Sequence, residues 1–103
     1  MKIVGITACT AGIAHTYIAK EELESTAREM GHEIKIETQG TIGIENELTP
    51  EEIKAADVVV IAADINVSGK ERFDGKLVVD IPISVVMKST KSLIVKLEKT
   101  INK

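Results

Sequence analysis

Cys9 is the only cysteine of the chain, and the residues after it are small, polar or suited to opening a helix: Thr10-Ala11-Gly12-Ile13-Ala14-His15-Thr16. The β-branched, apolar run from Lys2 to Ala8 reads as a buried strand, and an amphipathic helix pattern follows the loop. This arrangement puts a thiol at the C-terminal tip of a strand, under helix N–H groups that have no intrahelical partner. Such groups, with the helix dipole, favour negative charge, so they lower a thiol's pKa and hold an anion beside the sulfur. Gly12 lets backbone approach an anion closely, while Ala11 and Ala14 keep bulk away. The chemistry on offer is a nucleophilic cysteine in an anion-binding loop. A lone cysteine is more often an inert core residue, so the rest of the pattern has to decide.

Several known loops fail on residue type. A cysteine phosphatase needs an arginine six residues after its cysteine; that position is His15, and the only arginines are Arg28 and Arg72. A thioredoxin-like site needs a second cysteine where Gly12 stands, and one cysteine alone makes neither an internal disulfide nor a tetrahedral zinc site. A Walker loop needs glycine, lysine and a hydroxyl residue in sequence, which is absent. Gly5 and Gly12 are wrongly spaced for a dinucleotide fingerprint, and Gly5 lies inside the strand. What survives is a cysteine that carries a phosphate.

The elements that must position this loop follow in order. A helix from about Gly12 to Met30 buries Ala19, Leu23, Ala27 and Met30, leaves Glu21, Glu22, Glu24, Arg28 and Glu29 to solvent, and stops at Gly31. His32 to Thr38 alternates as a half-buried strand, with Ile34 and Ile36 inward and Glu33, Lys35 and Glu37 outward. Gln39 to Gly43 reads as a flexible turn. Thr49-Pro50-Glu51-Glu52 is a capping box opening a short helix to about Ala56. Asp57 to Ala63 is a doubly covered strand ended by Asp64, residues 68 to 73 suit a helical turn, and Lys76 to Asp80 is a short fourth strand. Pro82 opens a short helix to about Met87, and Ser89 or Thr90 caps a final helix carrying Leu93, Leu97 and Ile101 on one face. The alternation predicts an α/β fold: a three-layer sandwich around a four-stranded parallel sheet, order 2-1-3-4, with a Rossmann-like or phosphatase-like loop after strand 1. Ligands in such sheets bind beyond the carboxyl ends of the strands, which places Thr38, Gln39, Gly40 and Asp64 on the same edge as Cys9.

Composition narrows the classes. At 103 residues the chain is expected to form one domain, residues 1–103. Aromatic residues are 2% and the formal net charge is −3, which argues against stacking on single-stranded nucleic acid and against a basic phosphate-binding face. No apolar run is long enough to span a membrane, and the first residues lack a signal-peptide pattern, so a reducing cytoplasmic location is expected.

At this point the residues carry a resemblance. Cys9 to Thr16 resembles the cysteine loop of the enzyme IIB domains of bacterial sugar phosphotransferase systems, fructose branch. The likeness continues through Glu37-Thr38-Gln39-Gly40-Thr41-Ile42-Gly43-Ile44-Glu45-Asn46-Glu47-Leu48-Thr49, through Ala62-Ala63-Asp64, and through Glu71-Arg72-Phe73-Asp74-Gly75-Lys76. The resemblance implies that Cys9 takes a phosphoryl group from phosphohistidine on an enzyme IIA partner. It then passes the group to a sugar, fructose by this branch, bound by a membrane-embedded enzyme IIC. Residues 10–16 supply the phosphate cradle, and neither a metal nor an organic cofactor is implied. The usual family pattern has proline and then threonine after the cysteine. Thr10 and Ala11 replace them here, which adds a backbone N–H and moves the hydroxyl by one position.

Individual residues keep two readings. His15 either contacts phosphate or ties the first helical turn to a neighbouring loop, and Thr16 either packs and caps or contacts phosphate. Thr38, Gln39 and Gly40 either form a second shell around the sulfur or are plain turn geometry. His32 is expected to be an exposed strand-start residue and Asp64 a structural cap. A regulatory phosphocysteine module acting on a non-transport partner is the alternative function.

Overall fold

The described residues, 1–8, 13–40 and 43–101 of a computed structural model, run β1 (Lys2–Ala8), α1 (Ile13–Glu29), β2 (Glu33–Gly40), β3 (Gly43–Glu45), α2 (Pro50–Ala55), β4 (Val58–Ala63), a 3-10 turn (Lys70–Phe73), β5 (Val78–Ile81) and α3 (Ile83–Ile101). The loop at 9–12, with the phosphatase-like conformation expected of it, lies outside the described residues, as do Thr41 and Ile42.

The sheet order is β3-β2-β1-β4-β5. β1 pairs in parallel with β2 and β4, and β5 pairs in parallel with β4. The expected four-stranded, all-parallel sheet is corrected in one respect: β3 adds an antiparallel edge to β2, making a five-stranded mixed sheet. The segment read as a flexible turn is therefore a hairpin, in which Gly40 pairs with Gly43. Gly43, with φ +104°, adopts a conformation open mainly to glycine.

Alternation along the strands sends side chains to two cores. On one face Ile3, Ile36, Val58 and Val60 meet Ala19, Leu23 and Ala27 of α1 and Val86, Leu93, Ile94 and Leu97 of α3. On the other, Val4, Ile6, Val59 and Ile61 meet Leu48, Ile53, Val67 and Phe73. Gly5 sits at the centre of the sheet because a Cβ there would lie 2.6 Å from the Val60 carbonyl oxygen and 2.9 Å from Ile36 Cδ1. The capping box of α2 forms in full: Thr49 Oγ1 accepts from the Glu52 N–H at 3.2 Å, and Glu52 Oε1 accepts from the Thr49 N–H at 2.9 Å. As expected, α3 is two helical segments that meet at a kink at Ser89, whose φ of −146° and ψ of 46° are not helical.

His32 departs from its expected exposure. Its ring is 11% exposed, and Nε2 lies 2.6 Å from Glu98 Oε2, so it staples the start of β2 to α3.

Candidate functional site

The carboxyl ends of β2, β1 and β4 form one edge, with Thr7 opposite Thr38 on one side and Ala8 opposite Ala63 on the other. Ala8 is fully buried, and its carbonyl accepts from the Asp64 N–H at 3.2 Å. Residues 9–12, including Cys9, Thr10, Ala11 and Gly12, join this end of β1 to the first turn of α1. Their placement, and the side chains of Ile13 and Ala14, lie outside the described residues.

What borders that segment is well defined. The first turn of α1 contains no acidic residue, so negative charge at this helix end would meet no like charge from that turn. His15 is exposed on this turn and Thr16 is buried. The Thr7 hydroxyl donates to the Thr16 carbonyl at 3.1 Å, which fixes the second strand-to-helix tether beside the loop. Thr16 Oγ1 itself is buried with no hydrogen-bond partner among the described residues. An unsatisfied buried hydroxyl is unfavourable by about 1–3 kcal/mol and calls for an explanation.

Thr38 and Gln39 are buried where β2 flanks β1, and Gly40 is exposed at the end of the strand. The Gln39 amide is fully committed. Nε2 donates to Glu37 Oε2 at 2.8 Å and to the Ser68 carbonyl at 3.0 Å, while Oε1 accepts from the Ser68 N–H at 2.8 Å. With both amide protons used, Gln39 shapes this edge by tethering it to the loop at Ser68. Asp64 serves as the cap expected of it: Oδ1 accepts from the Ile83 N–H at 3.3 Å, at the start of α3.

Behind Gln39 lies a pair whose carboxylate strand alternation placed on the wrong side. Glu37, read as solvent-facing, is fully buried. Arg72 Nη1 and Nη2 donate to its two carboxylate oxygens at 2.9 and 3.0 Å, and the Leu48 N–H donates to Oε1 at 2.9 Å. Burial by itself would push the Glu37 carboxyl up; the bonds from Arg72, Gln39 and Leu48 outweigh it and hold the group below the ordinary carboxylate range. The same bonds hold the Arg72 guanidinium above its ordinary value. Strand alternation misled because the C-terminal half of β2 is covered on its second face by Leu48 and the 3-10 turn. The available signal was that Glu37 and Arg72 each fall in one of the two long motifs after the cysteine loop.

Large apolar side chains are exposed on the elements that bound this edge. Tyr17 and Ile18 in α1, Ile44 in β3 and Ile65 beyond β4 are between 37% and 47% exposed. The Tyr17 hydroxyl donates to Glu45 Oε1, joining α1 to β3, and this bond pushes the phenol up. Among the described residues no group of three or more His, Cys, Asp or Glu could hold a metal ion, and no helix is long and apolar enough to cross a membrane.

Comparison with known proteins agrees with this architecture. Residues 4–96 match the family described as PTS system, Lactose/Cellobiose specific IIB subunit. The PTS system fructose-like EIIB component 2 of Escherichia coli K12 is 48% identical over 97 residues, which cover 94% of this chain and 92% of that protein. The PTS system fructose-specific EIIABC component of Bacillus subtilis is 44% identical over 101 residues, 98% of this chain but 15% of that longer protein. The solution structure of an Enzyme IIB subunit of the PTS system from Escherichia coli K12 superposes with a TM-score of 0.91 at 36% identity, covering 98% of this chain and 94% of that one. The family description names lactose and cellobiose, whereas these curated relatives are of the fructose type. The chain belongs to the PTS system IIB family and is a phosphotransferase component of the fructose-like EIIB kind.

Proposed function

We propose that residues 1–103 act as one IIB domain in which Cys9 is a phosphocysteine carrier. The thiolate attacks phosphorus in a phosphohistidine of an EIIA partner. The S–P bond forms as the P–N bond breaks, and the imidazole nitrogen keeps the electron pair and takes up a proton. A sugar hydroxyl, of fructose type, then attacks the phosphorus at an EIIC partner. The O–P bond forms, the thiolate leaves, and the hydroxyl proton passes to solvent or a neighbouring base.

The observation that carries this reading is the acid-free N-terminus of α1, reached directly by the segment that holds the cysteine. Unpaired N–H groups there favour both the thiolate and a phosphoryl group on sulfur. In this reading residues 10–16 form the cradle, with the orphaned Thr16 hydroxyl as a donor to the phosphoryl oxygens and His15 beside it. Thr38, Gln39 and Gly40 make up the adjoining wall. The exposed apolar side chains of Tyr17, Ile18, Ile44 and Ile65 suit brief docking of the two partners, and the EIIABC relative carries A, B and C in one name.

The test is Cys9→Ser in a reconstituted system of phosphorylated EIIA, this chain and EIIC with a sugar panel. The serine variant is expected to keep its thermal midpoint and lose sugar phosphorylation. Full transfer by the variant contradicts the proposal.

A further inference from the structure

Charge on α3 is segregated. Lys88, before the kink at Ser89, and Lys91, Lys96 and Lys99 after it are all exposed, whereas Val86, Leu93, Ile94 and Leu97 enter the core. Lys91, Ser92, Val95, Lys96 and Lys99 line one shallow, open depression. The single acidic residue of the helix, Glu98, is turned to His32. None of the four lysines forms an ion pair or a side-chain hydrogen bond among the described residues. Lys2, Lys20, Lys35, Lys70 and Lys76 each hold a carboxylate or carbonyl. In a chain of net charge −3, the basic charge free of partners among the described residues is thus concentrated on α3, with Lys54 of α2 the one other such lysine.

We infer that this face of α3 docks on an anionic lipid surface. Protein interfaces are depleted in lysine and are anchored on aromatic or arginine side chains, and the stripe has neither. Lysines are flexible point charges, matched to a diffuse sheet of negative headgroups more than to one carboxylate geometry. Helix α1, packed on the same face of the sheet, exposes Glu21, Glu22 and Glu29. The lipid surface therefore has to meet the α3 flank rather than lie across both helices. A second copy is a poor alternative occupant, because pairing α3 with the acidic α1 of another chain would rest on exposed ion pairs of little net worth.

The experiment is co-sedimentation of the full chain with vesicles of mixed phosphatidylglycerol and phosphatidylcholine, against phosphatidylcholine alone. Binding is expected on the anionic vesicles only, and it should weaken as salt rises. Each Lys→Gln change among the four should lower the partition by about fivefold at low salt. The variant Glu21→Gln/Glu22→Gln should raise it. Equal partition onto both vesicle types, or an unchanged partition when all four lysines are replaced, overturns the inference. So does capture by an acidic polypeptide through the same lysines without vesicle binding. Cys9→Ser should bind vesicles as the unmodified chain does, so this result stands or falls apart from the carrier proposal.

Discussion

Arg72 grips Glu37 with both arms of its guanidinium, at 2.9 and 3.0 Å, across 35 positions of sequence. The pair joins the 3-10 turn to the strand beside β1, and Gln39 closes the same network onto Ser68. Removing Arg72 leaves a buried carboxylate with only amide donors. Arg72→Met is expected to lower unfolding free energy by about 3 kcal/mol in a denaturant titration. Arg72→Lys is expected to recover little of it, because an ammonium cannot reproduce the planar, two-oxygen contact. A lysine variant as stable as the parent contradicts the bidentate role.

Acid should find the same pair. The folded-state pKa of Glu37 lies below its unfolded value, so its contribution to stability is fully present above about pH 4.3, the ordinary value of a glutamate. It is lost as pH falls from there through the depressed folded value. Thermal midpoints measured from pH 6 downward should drop more steeply for the parent than for Glu37→Gln, whose side chain does not titrate. Parallel slopes for the two proteins count against this sign.

Thr16 separates packing from function. Thr16→Val replaces a partnerless buried hydroxyl with a methyl of similar size, so stability is expected to hold or rise by about 1 kcal/mol. If that hydroxyl donates to the phosphoryl group, the same variant should accept phosphate from EIIA about tenfold more slowly. A variant that is both destabilised and fully active would reverse the assignment.

The sequence made some of this legible and hid the rest for physical reasons. Strand β4 was readable because a central parallel strand, covered on both faces, is an unbroken run of Val, Ile and Ala. The capping box at Thr49 and the stop at Gly31 were readable because each is a local rule of backbone geometry. Ser89 was readable as a break, and the backbone leaves helical geometry there. Strand β3 was hidden because three exposed residues, the first of them a glycine, carry no alternation long enough to register. Glu37 and His32 were misplaced for a shared reason. Each is a charged or titratable side chain whose burial depends on one distant partner, Arg72 or Glu98, and strand periodicity contains no information about such partners. At the candidate site, the proposal for Cys9 and its loop rests on residue types. The tether from Thr7 to Thr16 and the commitment of the Gln39 amide required coordinates.

The central claim is that the phosphoryl group rests on Cys9. Intact mass of the chain after exposure to phosphorylated EIIA, followed by peptide mapping of the modified product, tests it most directly. A single added phosphoryl group is expected, located on Cys9 and absent from Cys9→Ser. A phosphoryl group found on His15 or His32, or one that persists in the serine variant, would contradict it.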